Sequence, residues 1–141
     1  SPVRHIRDGV VDNNRSKARL LEVVHHLVNK FNRLYYFPSY EIVIDVLRDY
    51  RFYDIDMVHP NYLATEYVLQ QFIQAYTNAD TQSLIKEIKN INIAFKHRSS
   101  HAHTEAHKKF LESHLQKVQL LQQQHPHLNF TKEIEYFSKP F

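Results

Sequence analysis

Two side chains that could carry out acid–base chemistry, Asp56 and His59, lie three residues apart in the segment DIDMVHP, residues 54–60. An imidazole exchanges a proton near neutral pH, and a nearby carboxylate can fix its tautomer and stabilise its charged form. Pro60 and the apolar residues that follow it favour the start of a helix. In a second interpretation, both side chains only satisfy backbone groups at that helix start. The segment contains no nucleophile, so it predicts only part of a catalytic site.

The composition favours a helical domain and excludes several kinds of site. A chain of 141 residues with 43% hydrophobic residues can bury one core, or one unit with a helical extension. It contains one glycine and no cysteine. Phosphate-cradling loops need several glycines, so a P-loop or Rossmann fingerprint is excluded. Disulfides, thiolate metal sites and a cysteine nucleophile are excluded too, and no cofactor is expected.

The charge pattern indicates no nucleic-acid or membrane partner. The formal charge is +3 with histidine neutral, and acidic and basic residues are interspersed. No apolar run approaches the roughly 18 residues of a membrane span. The chain begins SPV without a methionine, so we expect residues upstream of it. The compartment is not fixed by these features, with the cytoplasm slightly favoured.

The first half of the sequence predicts an α/β domain with a parallel sheet. Residues 1–3 have the pattern of a strand end, and the aromatic run at residues 34–37 has that of a buried strand before a proline. Residues 42–44 are β-branched, so a strand there remains an alternative to a helix. Helices are predicted over residues 16–31, capped by Asn14 or Ser16, over residues 40–48, capped by Ser39, and over residues 60–76.

Reactive groups collect where the strands of such a sheet end. Arg4, His5, Ser39 and the loop of residues 56–59 are expected at that edge, with Ser1 also lining the pocket. Ser39 follows a predicted strand, but no glycine flanks it to form the sharp turn that exposes a nucleophile. A capping role is therefore favoured for Ser39.

The composition changes near residues 77–80, and we predict one domain over residues 1–76 and a helical extension over residues 77–141. Apolar stripes beginning at Leu84 and Leu111 predict two antiparallel helices, and residues 131–138 add one or two turns. Self-association through this extension, or through an exposed sheet edge, is the expected protein–protein interaction.

A group of histidines in the extension offers a weaker possibility, a metal site. His103 and His107 have the i,i+4 spacing of two imidazole ligands on one helical face. No His-Glu-x-x-His pattern is present, and histidines on a polar helical face are usually solvated. The sequence therefore predicts no metal site, with His103 and His107 as the candidates if one exists.

Five stretches of the first half, taken together, resemble the GSCFA family. They are SPVRHIRDG at residues 1–9, NNRSKA at 13–18, YFPSYE at 36–41, LRDYRFY at 47–53 and DMVHP at 56–60. The resemblance runs in order over about the first 76 residues and continues more weakly through the extension. That family is similar to the SGNH (GDSL-like) hydrolases.

The resemblance implies a fold and an activity. The expected fold is a flavodoxin-like α/β/α sandwich, of which this chain is the incomplete, helix-dominated C-terminal part followed by a helical hairpin. The implied activity is serine-dependent hydrolysis of a small acyl ester, with His59 as general base and Asp56 orienting it. The serine of the motif that names the family is expected upstream of Ser1, so the chain alone is expected to be inactive. The alternative is a non-catalytic helical interaction module.

Overall fold

The computed structural model of the protein describes residues 4, 7, 9–98 and 104–139. The chain divides into two units, Ser1–Thr77 and Asn78–Phe141, called the first unit and the second unit below. Each unit is built from helices and short turns. That the first unit is the core of a hydrolase stays a prediction.

The described residues of the first unit form three α-helices. They are α1 at Val10–Lys30, α2 at Ser39–Glu41, which continues as a π-helical turn at Ile42–Val46, and α3 at Tyr62–Tyr76. A 3-10 turn occupies Tyr50–Phe52. The helices predicted from apolar periodicity are confirmed with shifted bounds, and residues 42–44 are helical rather than extended.

The start of α1 differs from the prediction. The helix begins at Val10, and the residue before it is Gly9, whose φ of 81° is readily adopted only by glycine. The Gly9 carbonyl accepts the first helical bond from the amide of Asn13 at 3.0 Å. Capping by Asn14 or Ser16 is therefore wrong, because both residues lie inside the helix.

The predicted α/β fold is wrong for this structure. Residues 9–98 and 104–139 contain no strand, and the isolated antiparallel bridge between Tyr53 and Pro60 is their only recorded strand-like pairing. Residues 34–37 have strand propensity but form a coil, held by local bonds such as that from the Leu34 amide to the Phe31 carbonyl at 3.1 Å. A strand needs a neighbour for its backbone groups, and no second strand is described. The flavodoxin-like sandwich is overturned with it, and the strand end at residues 1–3 lies outside the described residues. Self-association stays a prediction.

The second unit is a helix pair with a third helix packed against both members. It contains α4 at Ala79–Lys96, α5 at Glu105–Gln124 and α6 at Thr131–Phe137. Among its described residues, seven form a buried core: Ile91, Ala94, Leu111, Val118, Leu121, Phe130 and Phe137. The predicted pair and the predicted short helix after it are thus present. None of the helices in the described part of the chain is long and apolar enough to cross a bilayer.

Gln122 fixes the link between α5 and α6. Its side-chain amide donates to the carbonyl of Leu128 at 2.7 Å and accepts from the amide of Phe130 at 3.1 Å. The two bonds satisfy backbone groups of a link that has no regular structure of its own. These bonds place Phe130, and α6 after it, against the core.

Candidate active site

A short loop between Tyr53 and Pro60 carries Asp56 and His59. The loop is closed at its base by the bridge between Tyr53 and Pro60 and by a bond from the Asp54 amide to the His59 carbonyl at 2.9 Å. These backbone bonds bring the two ends of the segment together. The two functional side chains therefore project from one tight turn.

Asn61 ties this loop to the start of α3. Its side-chain oxygen accepts from the amide of Ala64 at 3.2 Å, and its side-chain nitrogen donates to the carbonyl of Arg51 at 2.7 Å. Its own amide donates to the carbonyl of Phe52 at 2.9 Å. Asn61 was not among the predicted site residues, although an asparagine before an apolar helical run is a common N-cap signal.

Asp56 and His59 are in direct contact. The Nδ1 atom of His59 lies 2.6 Å from Oδ2 of Asp56, while Oδ1 accepts from the backbone amides of Val58 at 2.9 Å and His59 at 3.0 Å. An ionised carboxylate only accepts, so Nδ1 carries the proton and Nε2 of the neutral ring keeps its lone pair. Asp56 thus accepts from two backbone amides of the loop and also contacts the imidazole. The start of α3 is capped by Asn61 instead.

These bonds hold the pKa of Asp56 well below its usual range, at about 2. The causes, from the largest, are the hydrogen bond from the His59 backbone amide, the bond from its side chain and the bond from the Val58 amide. They form only when the loop is folded. The carboxylate therefore stabilises the loop at pH values above about 4, and this contribution is lost as the pH falls toward about 2.

The tip of the loop has an unusual backbone conformation at Met57. Its φ is 57°, in the left-handed region, and its amide donates to the Asp54 carbonyl at 2.8 Å. A non-glycine residue in this region costs roughly 1–2 kcal/mol. Met57 lies between Asp56 and His59, so this conformation sets the angle between the two side chains.

Arg4 lies against the same loop. Its guanidinium is 4.5 Å from the ring centre of Tyr53 and 5.7 Å from that of Tyr50. Its Nη1 atom donates to the carbonyl of Met57 at 3.5 Å. The structure therefore brings one of the three predicted pocket residues to the loop. The other two, Ser1 and His5, lie outside the described residues.

Comparison with family models shows to which family this sequence belongs. The model of the GSCFA family matches residues 1–72, which is about half of the chain. The chain belongs to the GSCFA family. The model of the GSCFA domain protein, C-terminal domain, matches residues 88–140. Separate comparisons with curated proteins and with solved structures gave no significant match.

A cleft of about 560 Å³ lies beside the loop in this GSCFA chain. Pro60 lines it from the loop, Phe72 from α3, and Ser39 from α2, and most of its wall is apolar. The N-cap of α2 is Pro38, and no side-chain bond caps that helix, so the predicted capping role of Ser39 is wrong. Ser39 instead lines the cleft together with Pro60.

Tyr36 and Glu41 form a polar contact near α2 that the sequence analysis did not consider. The hydroxyl of Tyr36 donates to the Glu41 carboxylate at 2.8 Å. Burial, followed by this bond, raises the pKa of Tyr36 to about 12. The phenol therefore stays protonated at neutral pH and donates its proton to the Glu41 carboxylate.

The histidines of the second unit surround an aromatic ring. His107 and His114 lie 6.1 Å and 4.2 Å from the ring centre of Phe110, and Nδ1 of His114 is 2.8 Å from the Phe110 carbonyl. Among the described residues, no group of three or more potential ligands is close enough to hold a metal ion. His103 lies outside the described residues, so its pairing with His107 stays untested.

Proposed function

We propose that Asp56 and His59 are the orienting acid and the general base of a serine-dependent hydrolase of ester or acyl bonds. The observation that supports this proposal is the 2.6 Å contact between Nδ1 of His59 and Asp56. With Nδ1 in this contact, Nε2 has no hydrogen-bond partner among the described residues and can accept a proton. Family membership supports it as well, since GSCFA proteins are similar to the SGNH hydrolases.

The proposed reaction has two steps. Nε2 of His59 takes the proton of a serine hydroxyl as the serine oxygen attacks the acyl carbon, and then gives that proton to the departing alcohol. In the second step the same nitrogen takes a proton from water as the water oxygen attacks the acyl carbon. The bond from that carbon to the serine oxygen breaks, the carboxylic acid leaves, and the proton returns to the serine. Asp56 stabilises the positive imidazolium in both steps. The serine and the donors for the oxyanion come from residues outside the 141 of this chain.

Labelling with a fluorophosphonate probe, which reacts with activated serines, tests the proposal on the intact protein. A general base contributes roughly 10²- to 10⁴-fold, so His59→Ala is expected to slow labelling of the reactive serine by at least about 10²-fold. His26→Ala changes an exposed imidazole in the same unit and serves as the control, with labelling at the wild-type rate. Unchanged labelling in His59→Ala would remove His59 from the mechanism. A folded wild-type protein that takes up no probe would end the hydrolase proposal.

The second candidate function is a non-catalytic helical interaction module. The observation that favours it is the second unit's own closed core, which does not depend on the loop of residues 53–60. Leu120 is 54% exposed on α5 and could join two copies. Sedimentation velocity of the chain tests this candidate: a dimer that Leu120→Glu dissociates supports it, and a monomer at all concentrations contradicts it.

A further inference from the structure

Arg4 is in contact with both the base and the tip of the loop that carries Asp56 and His59. Its guanidinium faces the ring of Tyr53, where the loop begins, at 4.5 Å. Its Nη1 atom reaches the carbonyl of Met57, between the two functional residues, at 3.5 Å. One planar side chain thus spans the loop from its closed end to its turn.

Tyr53 provides a fixed surface for this contact. Its side chain is buried, at 6% exposure, and its backbone takes part in the bridge with Pro60. The hydroxyl of Tyr53 is buried with no hydrogen-bond partner among the described residues. A buried unpartnered hydroxyl is unfavourable, so the structural use of this side chain lies in its ring. The face of that ring is what Arg4 contacts.

The loop tip depends on the contact with Arg4 because its other described hydrogen bonds are made within the loop. Asp56 and His59 are each about half exposed, and their described hydrogen bonds join residues inside the loop. Met57 holds a left-handed conformation that an unsupported methionine would tend to leave. Arg4, 53 residues away along the chain, is the described side chain that bonds to this tip from outside it.

We propose that Arg4 is a positioning residue, which holds the Asp56–His59 pair in register by stacking on Tyr53 and bonding to the loop tip. This role goes beyond the place near the pocket that the sequence suggested for Arg4. The guanidinium carbon lies over two aromatic rings. An arginine fork can stack and donate together, whereas a lysine ammonium is a point charge. The effect of Arg4 on hydrolysis rests on the proposed function. Its effect on the conformation of the loop does not.

The titration of the Asp56 carboxyl, followed by carbon NMR of the 141-residue chain, reports whether the loop is held. Its pKa of about 2 depends on bonds that require the folded turn. Arg4→Ala is expected to raise this pKa toward the ordinary value of about 3.9. Arg4→Lys keeps the charge but loses the planar contact, and is expected to raise it nearly as far. Arg7→Ala removes a neighbouring exposed charge and is expected to leave it at the wild-type value.

Two Tyr53 variants separate the ring from the hydroxyl. Tyr53→Leu removes the ring and is expected to raise the Asp56 pKa as Arg4→Ala does. Tyr53→Phe restores the ring without the hydroxyl and is expected to return the pKa to about 2. An unchanged titration in Arg4→Ala overturns the inference. So does a wild-type titration in Arg4→Lys beside a raised one in Arg4→Ala, because charge alone would then explain the effect.

Fluorophosphonate labelling of the intact Arg4→Lys protein separates this inference from the proposed function. A misplacement of about 1 Å can cost about 10²-fold in rate, so labelling is expected to slow by roughly that factor. If the Asp56 titration shifts as expected while wild-type protein takes up no probe, Arg4 holds the loop and the hydrolase proposal fails. If labelling depends on His59 while Arg4→Lys labels at the wild-type rate, the hydrolase proposal stands and the positioning role is overturned.

Discussion

The two units of the chain handle their apolar residues in different ways. The second unit closes a core from three helices, in which Val118 is fully buried and Phe137 is 2% exposed. Among its described large apolar residues, only Ile93 and Leu120 are strongly exposed. The three helices of this unit therefore bury most of their apolar faces against one another.

The first unit leaves comparable stripes uncovered. Its buried hydrophobic residues are Val43, Leu47, Tyr53 and Ala64, and they lie around α2, α3 and the loop between them. On α1, by contrast, Leu20 and Val23 are more than half exposed although they follow helical periodicity. Periodicity gives a helix its amphipathic face in both units, but only packing gives that face stability. We expect the second unit to be the more stable of the two.

The largest expected effect is the loss of the second unit's core. Phe137→Ala is expected to destabilise this unit by about 3–5 kcal/mol, because it removes a buried ring and leaves a cavity. Hydrogen exchange of the α5 amides, which reports opening of this unit alone, is the measurement. Ile93→Ala is the matched control, expected within about 0.5 kcal/mol of wild type since Ile93 is 61% exposed. Equal effects of the two variants would contradict a closed core.

Local pattern was sufficient for the helices and for the Asp56–His59 pair. The stripe that begins at Leu111 predicted α5. Asp56 and His59, named as a possible acid–base pair, lie 2.6 Å apart, and their catalytic role stays a prediction. The strand at residues 34–37 failed because aromatic and β-branched content measures only the fit to a sheet. Whether a partner strand is present is a property of the whole fold.

Other features of the site had little or no local signal. Methionine gives no indication of a left-handed φ, so the conformation of Met57 could not be read from the sequence. The stacking of Arg4 on Tyr53 joins residues far apart in the chain, and only the folded backbone brings them together. Asn61 did carry a signal, since its type and place before α3 are those of an N-cap.

An effect of intermediate size is expected at two asparagines, each of which caps a helix in one of the two units. Asn61 caps α3 and also bonds to the carbonyls of Arg51 and Tyr53, whereas Asn78 caps α4 through the amide of Thr81 at 2.9 Å. Asn78→Ala is expected to cost about 1 kcal/mol, the usual value for an N-cap. Asn61→Ala is expected to cost about 2 kcal/mol, because it also leaves loop carbonyls without their donor.

Amide exchange in α3 for one variant and in α4 for the other measures the two costs separately. The Asn61 variant is also expected to loosen the loop, which a raised pKa of Asp56 would report. Equal costs at the two positions would mean that the extra bonds of Asn61 add nothing. The loop would then be no better fastened to its helix than an ordinary helix start.

The smallest expected effect concerns strain in the first unit. Met57 is 53% exposed, so replacing it removes little buried surface, and asparagine adopts its left-handed φ more readily. Met57→Asn is expected to stabilise the first unit by about 0.5–1 kcal/mol, part of the roughly 1–2 kcal/mol that the conformation costs. Urea denaturation followed by exchange of the α3 amides is the measurement. Ile55→Asn is the control, because Ile55 is fully exposed in the same loop and has no such φ. A gain in stability at Met57 alone would show that this loop stores strain between Asp56 and His59. A gain at both positions would instead come from the removal of exposed apolar side chains. The lower stability of the first unit would then be due to its uncovered apolar surface.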